Sequence, residues 1–285
     1  MSEQTRNRIH PVPGALKGRT LLMSGGSRGI GLAIATAAAA AGANVALLSK
    51  TSTAHPTLAG TIHTAVEQIE QAGGQGLAVV GDVRNDEDVQ RAVAQAVEKF
   101  GGIDIVVNNA SAINLATTPE VDMKRYDLMQ DINVRGTFLM CKTALPYLQE
   151  SSHGHILTLS PPLNLEPKWA GAHLAYTMAK YGMSLTTLGL AEELKEQGIG
   201  VNSLWPETLI DTAAIRNLPG GGQMVKGARS AQIVADAALA VLSSDPAALS
   251  GNFFTDAQVL RLAGGEDLEK YALNPGVPLA EDIFL

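Results

Sequence analysis

The sequence lacks the features that mark secreted, nucleic-acid-binding and membrane-spanning proteins. Its 285 residues include one cysteine, Cys141, so no disulfide can form within the chain, and we interpret this thiol as a small buried side chain. The formal net charge is −7 and lysine and arginine form no cluster, which excludes nucleic acid as a partner. No apolar run approaches the roughly twenty residues that a membrane-spanning helix needs. We therefore predict a cytoplasmic protein without a membrane span.

Metal ligands are also missing from the sequence pattern. The chain has six histidines, and the close pair His153 and His155 is more typical of the start of a strand than of a zinc site. Trp169 and His173 either line a substrate pocket or pack a loop, and we favour packing. We predict no metal site.

A glycine-rich turn after the first apolar run organises the rest of the sequence. Residues 21–24 are followed by Gly25, Gly29 and Gly31, and then by an alanine-rich stretch of helical character. Glycine permits a tight turn and lets the backbone approach a phosphate, while the next helix offers free N–H groups and the positive end of its dipole. The stretch is either a nucleotide-phosphate site or an ordinary loop. A second apolar run over 44–48 completes a strand, helix and strand unit and favours the phosphate site.

Strand and helix patterns alternate along the chain. Short runs that are apolar on both faces are typical of parallel strands covered by helices. They predict strands over 21–24, 44–48, 76–80, 103–107, 155–159, 200–205 and 252–255. Helices are predicted over 32–41, 61–72, 86–100, 122–148 (as a pair), 175–197 and 230–242. We therefore predict an α/β protein with a single doubly wound Rossmann fold, whose parallel sheet of about seven strands has helices on both faces.

One domain with two flanking segments accounts for the whole chain. Residues 1–18 are mostly polar and interrupted by proline and glycine, which predicts an irregular arm. Residues 19–262 are the predicted nucleotide-binding domain, in which 206–222 is irregular. Residues 263–285 are a predicted C-terminal tail.

Tyr176 and Lys180 lie four residues apart in the predicted helix over 175–197, which places the phenol and the ammonium on one helix face. A nearby cation favours phenolate and lowers the pKa of a tyrosine, so the tyrosine can exchange protons near neutral pH. The same spacing also occurs in ordinary surface pairs. The pair alone leaves both alternatives open.

Five motifs resemble, in order and spacing, those of the short-chain dehydrogenase/reductase family, over about residues 17–260. The resemblance implies a Rossmann-fold oxidoreductase that uses a nicotinamide cofactor on a small-molecule carbonyl or alcohol, with lipid-like or steroid-like compounds among the candidates. The motifs are Ser24-Gly25-x3-Gly29-x-Gly31, Asp82-Val83, Asn108-Asn109-Ala110-Ser111, Asn133, and Tyr176 with Lys180.

The resemblance also implies roles for individual residues. Tyr176 would be the acid/base, Lys180 would lower its pKa and bind the nicotinamide ribose, and Asn133 would hold a water molecule in a proton relay. The implied catalytic residues are Tyr176, Lys180, Asn133 and Ser160. The implied cofactor-binding residues are Gly25, Ser27, Arg28, Gly29, Ile30, Gly31, Lys50, Asp82, Val83, Asn109, Ala110, Tyr176, Lys180, Pro206 and Thr208.

The end of the second predicted strand bears on the choice of cofactor. An acidic residue there would bind the ribose 2′-hydroxyl of NAD and repel a 2′-phosphate. Residues 48–51 contain Lys50 and no carboxylate, and Arg28 lies in the glycine turn. We therefore predict NADP as the cofactor.

Three positions depart from the family pattern, of which the mildest is Ser111 in place of a glycine. With a short insertion allowed, the family's carbonyl-polarising serine position falls on Pro161, with Ser160 beside it. The family's Pro-Gly after the sixth strand is Pro206-Glu207 here, which also affects the predicted contact of Thr208. A second hypothesis is therefore an NADP(H)-binding sensor or scaffold with weak or no catalysis.

The predicted helices over 137–148 and 175–197 match those that pair subunits in the family. By this resemblance we predict a homotetramer or a homodimer.

Overall fold

Seven parallel strands form one sheet at the centre of the protein, in a computed structural model that describes residues 9–54, 59–217 and 220–285. Their order across the sheet is β3-β2-β1-β4-β5-β6-β7. The strands are β1 (Thr20–Ser24), β2 (Asn44–Ser49), β3 (Gln75–Val80), β4 (Ile105–Asn108), β5 (His155–Thr158), β6 (Gly200–Trp205) and β7 (Phe253–Thr255). The prediction of a single doubly wound α/β fold is confirmed.

Helices cover both faces of this sheet because successive strand side chains alternate between the faces. In β1, Leu21 and Met23 pack with the helices over 29–40, 62–71 and 232–242, whereas Leu22 packs on the opposite face with those over 86–100, 136–150 and 174–193. The helices are α1 (Gly29–Ala40), α2 (Ile62–Gln71), α3 (Asp86–Phe100), α4 (Met123–Met129), α5 (Gly136–Glu150), α6 (Pro167–Ala172), α7 (Leu174–Glu193), α8 (Ala213–Arg216), α9 (Gly221–Met224), α10 (Gln232–Leu242) and α11 (Asp256–Leu262).

The segment predicted as a helix pair over 122–148 is continuous helix with a wider turn in its middle. A π-helical turn, Gln130–Arg135, joins α4 to α5 and carries the predicted site residue Asn133. Such turns are frequent at functional sites because the extra residue re-aims a side chain.

The loop after β6 and both flanking segments contain structure that the sequence pattern did not predict. Residues 206–222, expected to be irregular, include α8 and the start of α9. In the described part of the arm, Ile9 and Leu16 are buried in the core. In the predicted tail, Tyr271 and Phe284 are buried, so both flanking segments pack against the sheet domain.

The sheet topology creates a crevice at the carboxyl ends of the central strands. Strand β1 pairs with β2 on one side and β4 on the other, so the chain leaves β1 and β4 in opposite directions across the sheet. In doubly wound folds, the carboxyl ends of the strands at this switch point are where ligands bind.

Candidate active site

A cavity of about 460 Å³ lies at the carboxyl ends of the strands. It is bordered by the turn after β1, the ends of β2, β3 and β4, helix α7 and the loop after β6. Most of the predicted site residues line it, namely Gly25, Ser27, Arg28, Gly29, Ile30, Gly31, Lys50, Asp82, Val83, Asn109, Ala110, Tyr176, Lys180 and Pro206. Three predicted residues, Asn133, Ser160 and Thr208, do not line it.

The glycine turn forms a cradle that larger residues would fill. Gly25 and Gly29 have positive φ angles of 80° and 58°, which L-residues with side chains rarely adopt. A Cβ on Gly31 would collide with the side chain of Asn109. The turn therefore leaves the backbone uncovered by side chains at the cavity wall, which is the close approach that a pyrophosphate requires.

Helix α1 differs at its N-terminus from its neighbours. Thr61, Asn85 and Asp122 cap the starts of α2, α3 and α4 through their side chains. Arg28, at the same position of α1, makes no side-chain cap hydrogen bond. The first N–H groups of α1, together with the positive end of its dipole, are thus available to an anion in the cavity. The cradle and this helix end both fit a dinucleotide phosphate.

The far end of the cavity, near β2 and β3, carries mostly positive charge. Lys50 follows β2, and Arg28 donates a hydrogen bond to the Gly60 carbonyl at 2.9 Å. Asp82 is paired with Arg84 at 2.7 Å, and that hydrogen bond, aided by the charges of Arg84 and Lys50, lowers the pKa of the Asp82 carboxyl. The carboxylate at this end is therefore already neutralised by arginine.

Asn133 holds the loop after β4 and does not face the cavity. The Ala112 N–H donates to Asn133 Oδ1 at 2.7 Å, and Asn133 Nδ2 donates to the Ala112 carbonyl at 3.0 Å. Its side chain is fully buried. The π-helical turn thus uses this asparagine to fix the backbone beside Ala110, which does line the cavity.

Lys180 is buried and bound to the backbone directly after β5. Its Nζ donates to the Leu159 carbonyl at 2.6 Å, and it lies 4.9 Å from the centre of the Trp205 ring. Burial lowers the pKa of Lys180 to about 7, while the nearby charge of Asp282 opposes the shift. The lysine is therefore close to losing its proton at neutral pH.

The structure differs from the expectation for the pKa of Tyr176. Tyr176 is 4% exposed, at the cavity wall. Burial and the charge of Asp282 raise the pKa of the phenol, although Lys180 lies one helical turn away. The reason is that a dry environment disfavours phenolate more than this desolvated lysine favours it. Tyr176 is thus a protonated donor at neutral pH.

Ser160 does not line the cavity and is bonded to another serine. It is fully buried, and its hydroxyl lies 2.8 Å from the hydroxyl of Ser203, which in turn donates to Thr187 Oγ1 at 2.8 Å. The neighbouring Pro161 has no hydroxyl, and its carbonyl accepts a hydrogen bond from Ser184. Neither residue presents a donor to the cavity.

Thr208 is likewise turned inward. Its hydroxyl is buried without a hydrogen-bond partner among the described residues, and its backbone pairs with Glu281 in an antiparallel bridge.

The segment 280–285 is the part of the site that the sequence pattern missed. Asp282 and Ile283 line the cavity, and Phe284 is fully buried behind Tyr176. Burial raises the pKa of Asp282 to about 7, with repulsion from Asp256 adding to the shift and Lys180 opposing it. The signal available in the sequence was the apolar run over 283–285, which is out of place in a polar tail.

Trp169 and His173 pack against Phe284, with ring centres 5.9 and 5.4 Å from its ring. Neither lines the cavity, so the prediction that they pack a loop is confirmed. Cys141 is also buried as predicted, and burial raises the pKa of its thiol to about 12, which excludes a thiolate nucleophile at neutral pH.

Two broader expectations concern metals and membranes. Within residues 9–54, 59–217 and 220–285, no group of three His, Cys, Asp or Glu side chains is arranged to bind a metal ion. In the same residues, the longest and most apolar helices still fall short of what crossing a membrane requires.

The chain resembles known proteins in both sequence and fold. A sequence profile of the short chain dehydrogenases matches residues 19–219. The chain is 53% identical over 275 residues to hydroxysteroid dehydrogenase-like protein 2 of Xenopus tropicalis and 50% identical over 275 residues to that of Homo sapiens. Each alignment covers 96% of this chain and 65% of the relative, so the chain spans about two thirds of the length of these proteins.

A crystal structure of a short chain dehydrogenase from Mycobacterium thermoresistibile has a similar fold. It superimposes with a TM-score of 0.90 at 51% sequence identity, over 95% of this chain and 96% of that one. The chain therefore belongs to the short-chain dehydrogenase/reductase family.

Proposed function

We propose that the protein is an NADP-dependent oxidoreductase that interconverts a carbonyl compound and an alcohol, with Tyr176 as the acid/base. The observation that carries this proposal is the convergence of the glycine cradle, Tyr176 and Lys180 on one cavity. A nucleotide-binding site alone has no need of a buried phenol in its wall. The family membership supports an oxidoreductase with a nicotinamide cofactor.

The dinucleotide, when bound, supplies the hydride. In our proposal the cradle at Gly25, Gly29 and Gly31 holds its pyrophosphate, and Lys180 holds the nicotinamide ribose. Lys50 and Arg28 hold a 2′-phosphate, since both are cationic and no carboxylate lies at the end of β2. These contacts are the reason for preferring NADP to NAD.

Tyr176 is proposed to donate its phenolic proton to the carbonyl oxygen as the hydride adds to carbon. The raised pKa keeps this donor protonated at neutral pH but also makes the phenol a weaker acid, so the transfer depends on stabilisation of the phenolate that forms. The phenolate that remains is stabilised by Lys180 in its protonated form. Loss of the proton from either group would therefore slow reduction.

Apolar side chains from the loops around Tyr176 form the rest of the wall. We propose that they bind an apolar carbonyl compound, of lipid-like or steroid-like character. They include Ile113, Leu115, Leu209, Ile215 and Met224.

A second candidate is an NADP(H)-binding sensor or scaffold without turnover. The position of Ser160 favours it, because this serine is bonded to Ser203 and supplies no donor to a substrate carbonyl. The retained Tyr176 favours the enzyme.

The deciding experiment is NADPH oxidation over a panel of ketones, aldehydes and fatty acyl carbonyls, with NADH as the control. Turnover of any carbonyl compound with NADPH supports the enzyme. NADPH binding without turnover across the panel supports the sensor.

Two helices present apolar side chains at the surface of the protein. Helices α5 and α7 carry exposed apolar side chains, including Phe138, Leu185 and Leu188, and we propose that they pair subunits in a homodimer or homotetramer.

A reducing compartment such as the cytoplasm suits the unpaired thiol of Cys141.

A further inference from the structure

The segment 280–285 is fixed against the loop after β6 by hydrogen bonds along its length. The Leu209 N–H donates to the Ala280 carbonyl at 2.9 Å, and the Asp282 N–H donates to the Glu207 carbonyl at 3.1 Å. Trp205 Nε1 then donates to the Ile283 carbonyl at 3.0 Å. The backbone on both sides of the Asp282 carboxyl group is therefore held in place.

Phe284 anchors the other end of this segment. It has a φ of 75° and is the one non-glycine residue with positive φ in the parts of the chain that the structure describes. Its ring is fully buried among other aromatic rings, which over-determine a backbone conformation that a phenylalanine otherwise avoids. The surrounding rings belong to Trp169, His173, Tyr176, Tyr181 and Trp205.

The carboxyl group of Asp282 has hydrogen-bonding capacity left for a ligand. It lines the same cavity as Tyr176 and Lys180 and is partly accessible from it. Among the described residues, its one hydrogen bond comes from the N–H of its neighbour Ile283, at 2.7 Å. Asp82, the other carboxylate at the cavity wall, is by contrast occupied by Arg84.

The end of the cavity at Tyr176 lacks the carbonyl-polarising donor that the family pattern supplies through serine. Pro161 has no hydroxyl, Ser160 is bonded to Ser203, and Asn164 Nδ2 donates to the Phe284 carbonyl at 3.3 Å. We propose that Asp282, in its protonated form, donates a hydrogen bond to the carbonyl oxygen of the substrate and is thereby a catalytic residue beside Tyr176. This inference rests on the function proposed above.

A neutral carboxyl group is chemically suited to this role. An apolar environment keeps a carboxylic acid protonated, and its O–H then donates to a developing oxyanion. The charged groups that act on Asp282 are Lys180 on α7 and Asp256 at the start of α11, and Asp256 in turn is influenced by the charges of Arg229 and Glu207. The raised pKa of Asp282, to about 7, leaves a substantial protonated fraction at neutral pH.

The experiment compares Asp282→Leu, Asp282→Asn and Ser160→Ala with the wild type. The readouts are kcat and KM for NADPH-dependent reduction of the best carbonyl compound of the panel, and Kd for NADPH. Removing one such donor costs on the order of a hundredfold in rate, so Asp282→Leu should lower kcat by about that factor. KM and the Kd for NADPH should stay within about threefold, which distinguishes this role from a structural one.

The conservative variant tests the donor itself. Asp282→Asn retains an N–H donor and should keep kcat within about tenfold of the wild type, and Ser160→Ala should do the same. A wild-type rate for Asp282→Leu would overturn the inference. An equal loss in Asp282→Asn and Asp282→Leu would overturn it too, because the charge rather than the donor would then matter.

The pH dependence of kcat gives a second readout, which can be measured even when Asp282→Leu does not fold. Above neutral pH, the kcat of the wild type should fall with the loss of two protons, one from Asp282 and one from Lys180. The kcat of Asp282→Asn should fall with the loss of a single proton, from Lys180. Parallel profiles would overturn the inference. A wild type that reduces nothing in the panel contradicts the proposed function, whereas an active wild type with unaffected Asp282 variants contradicts the role of Asp282 alone.

Discussion

The ring of Phe284 lies 6.1 Å from the ring of Tyr176, with an angle of 29° between their planes. The two residues are more than a hundred positions apart in the sequence, yet this stacking forms one wall of the phenol's environment. Together with the Asp282 carboxyl group, it makes the segment 280–285 part of the site. The dry surroundings that raise the pKa of Tyr176 thus depend on a segment outside the motifs that identify the family.

Replacing Phe284 with alanine should destabilise the protein by about 3–5 kcal/mol, because the fully buried ring would leave a cavity among aromatic neighbours. Urea unfolding measures the change in the free energy of unfolding. Leu165→Ala is the matched control, since Leu165 is 83% exposed and should change stability by less than about 0.5 kcal/mol. Equal, small effects of the two variants would show that the segment does not pack as described.

NADPH should bind at least about tenfold more tightly than NADH, a difference of about 1.4 kcal/mol, because Lys50 and Arg28 offer positive charge to a 2′-phosphate. Fluorescence titration of both cofactors measures the two affinities. Lys50→Asp should reverse the order, and Lys142→Asp, an exposed lysine outside the cavity wall, should not. Equal affinities in the wild type would refute the assignment of NADP.

Light scattering should report a dimer or a tetramer at micromolar concentration. Replacing both Leu185 and Leu188 with glutamate should shift the protein towards monomers. Both leucines are exposed on α7, and the charge of the introduced carboxylates would oppose burial of this surface between subunits. Leu165→Glu, on an exposed position outside α5 and α7, should leave the assembly intact. A wild-type monomer would exclude this mode of pairing.

Acid should destabilise the protein partly through His155. Burial, with the charge of His153, lowers the pKa of His155 from 6.5 to about 3. Between these values the unfolded chain binds a proton that the folded protein does not, so stability falls as the pH drops below 6.5. His155→Gln should make Tm less sensitive to pH in this range, whereas His63→Gln, at an exposed position, should not. An unchanged pH dependence in His155→Gln would show that this histidine is not buried as a neutral group.

Sequence reasoning predicted the parts of the site that depend on local spacing. The glycine turn joins β1 directly to α1, and Tyr176 and Lys180 both lie on α7, so the geometry of each follows from residues a few positions apart. The strands at the sheet centre were equally predictable, because burial on both faces requires continuous apolar runs.

The remaining features depend on contacts between distant residues or on backbone irregularities. The direction of Ser160 is set by its hydrogen bond to Ser203 on β6, and that of Asn133 by the π-helical turn. Neither effect has a periodic sequence signal. Asp282 reaches the cavity only because the chain returns to the loop after β6. The composition of the sequence did not indicate this return.

Whether Tyr176 delivers the proton during carbonyl reduction is tested most directly by Tyr176→Phe. With saturating NADPH and the best carbonyl compound of the panel, this variant should lose at least about a hundredfold in kcat. Its Kd for NADPH should stay close to that of the wild type, since only one hydroxyl is removed. Tyr147→Phe, outside the cavity wall, should keep full activity as the control. Undiminished turnover in Tyr176→Phe would contradict the assignment of Tyr176 as the acid/base.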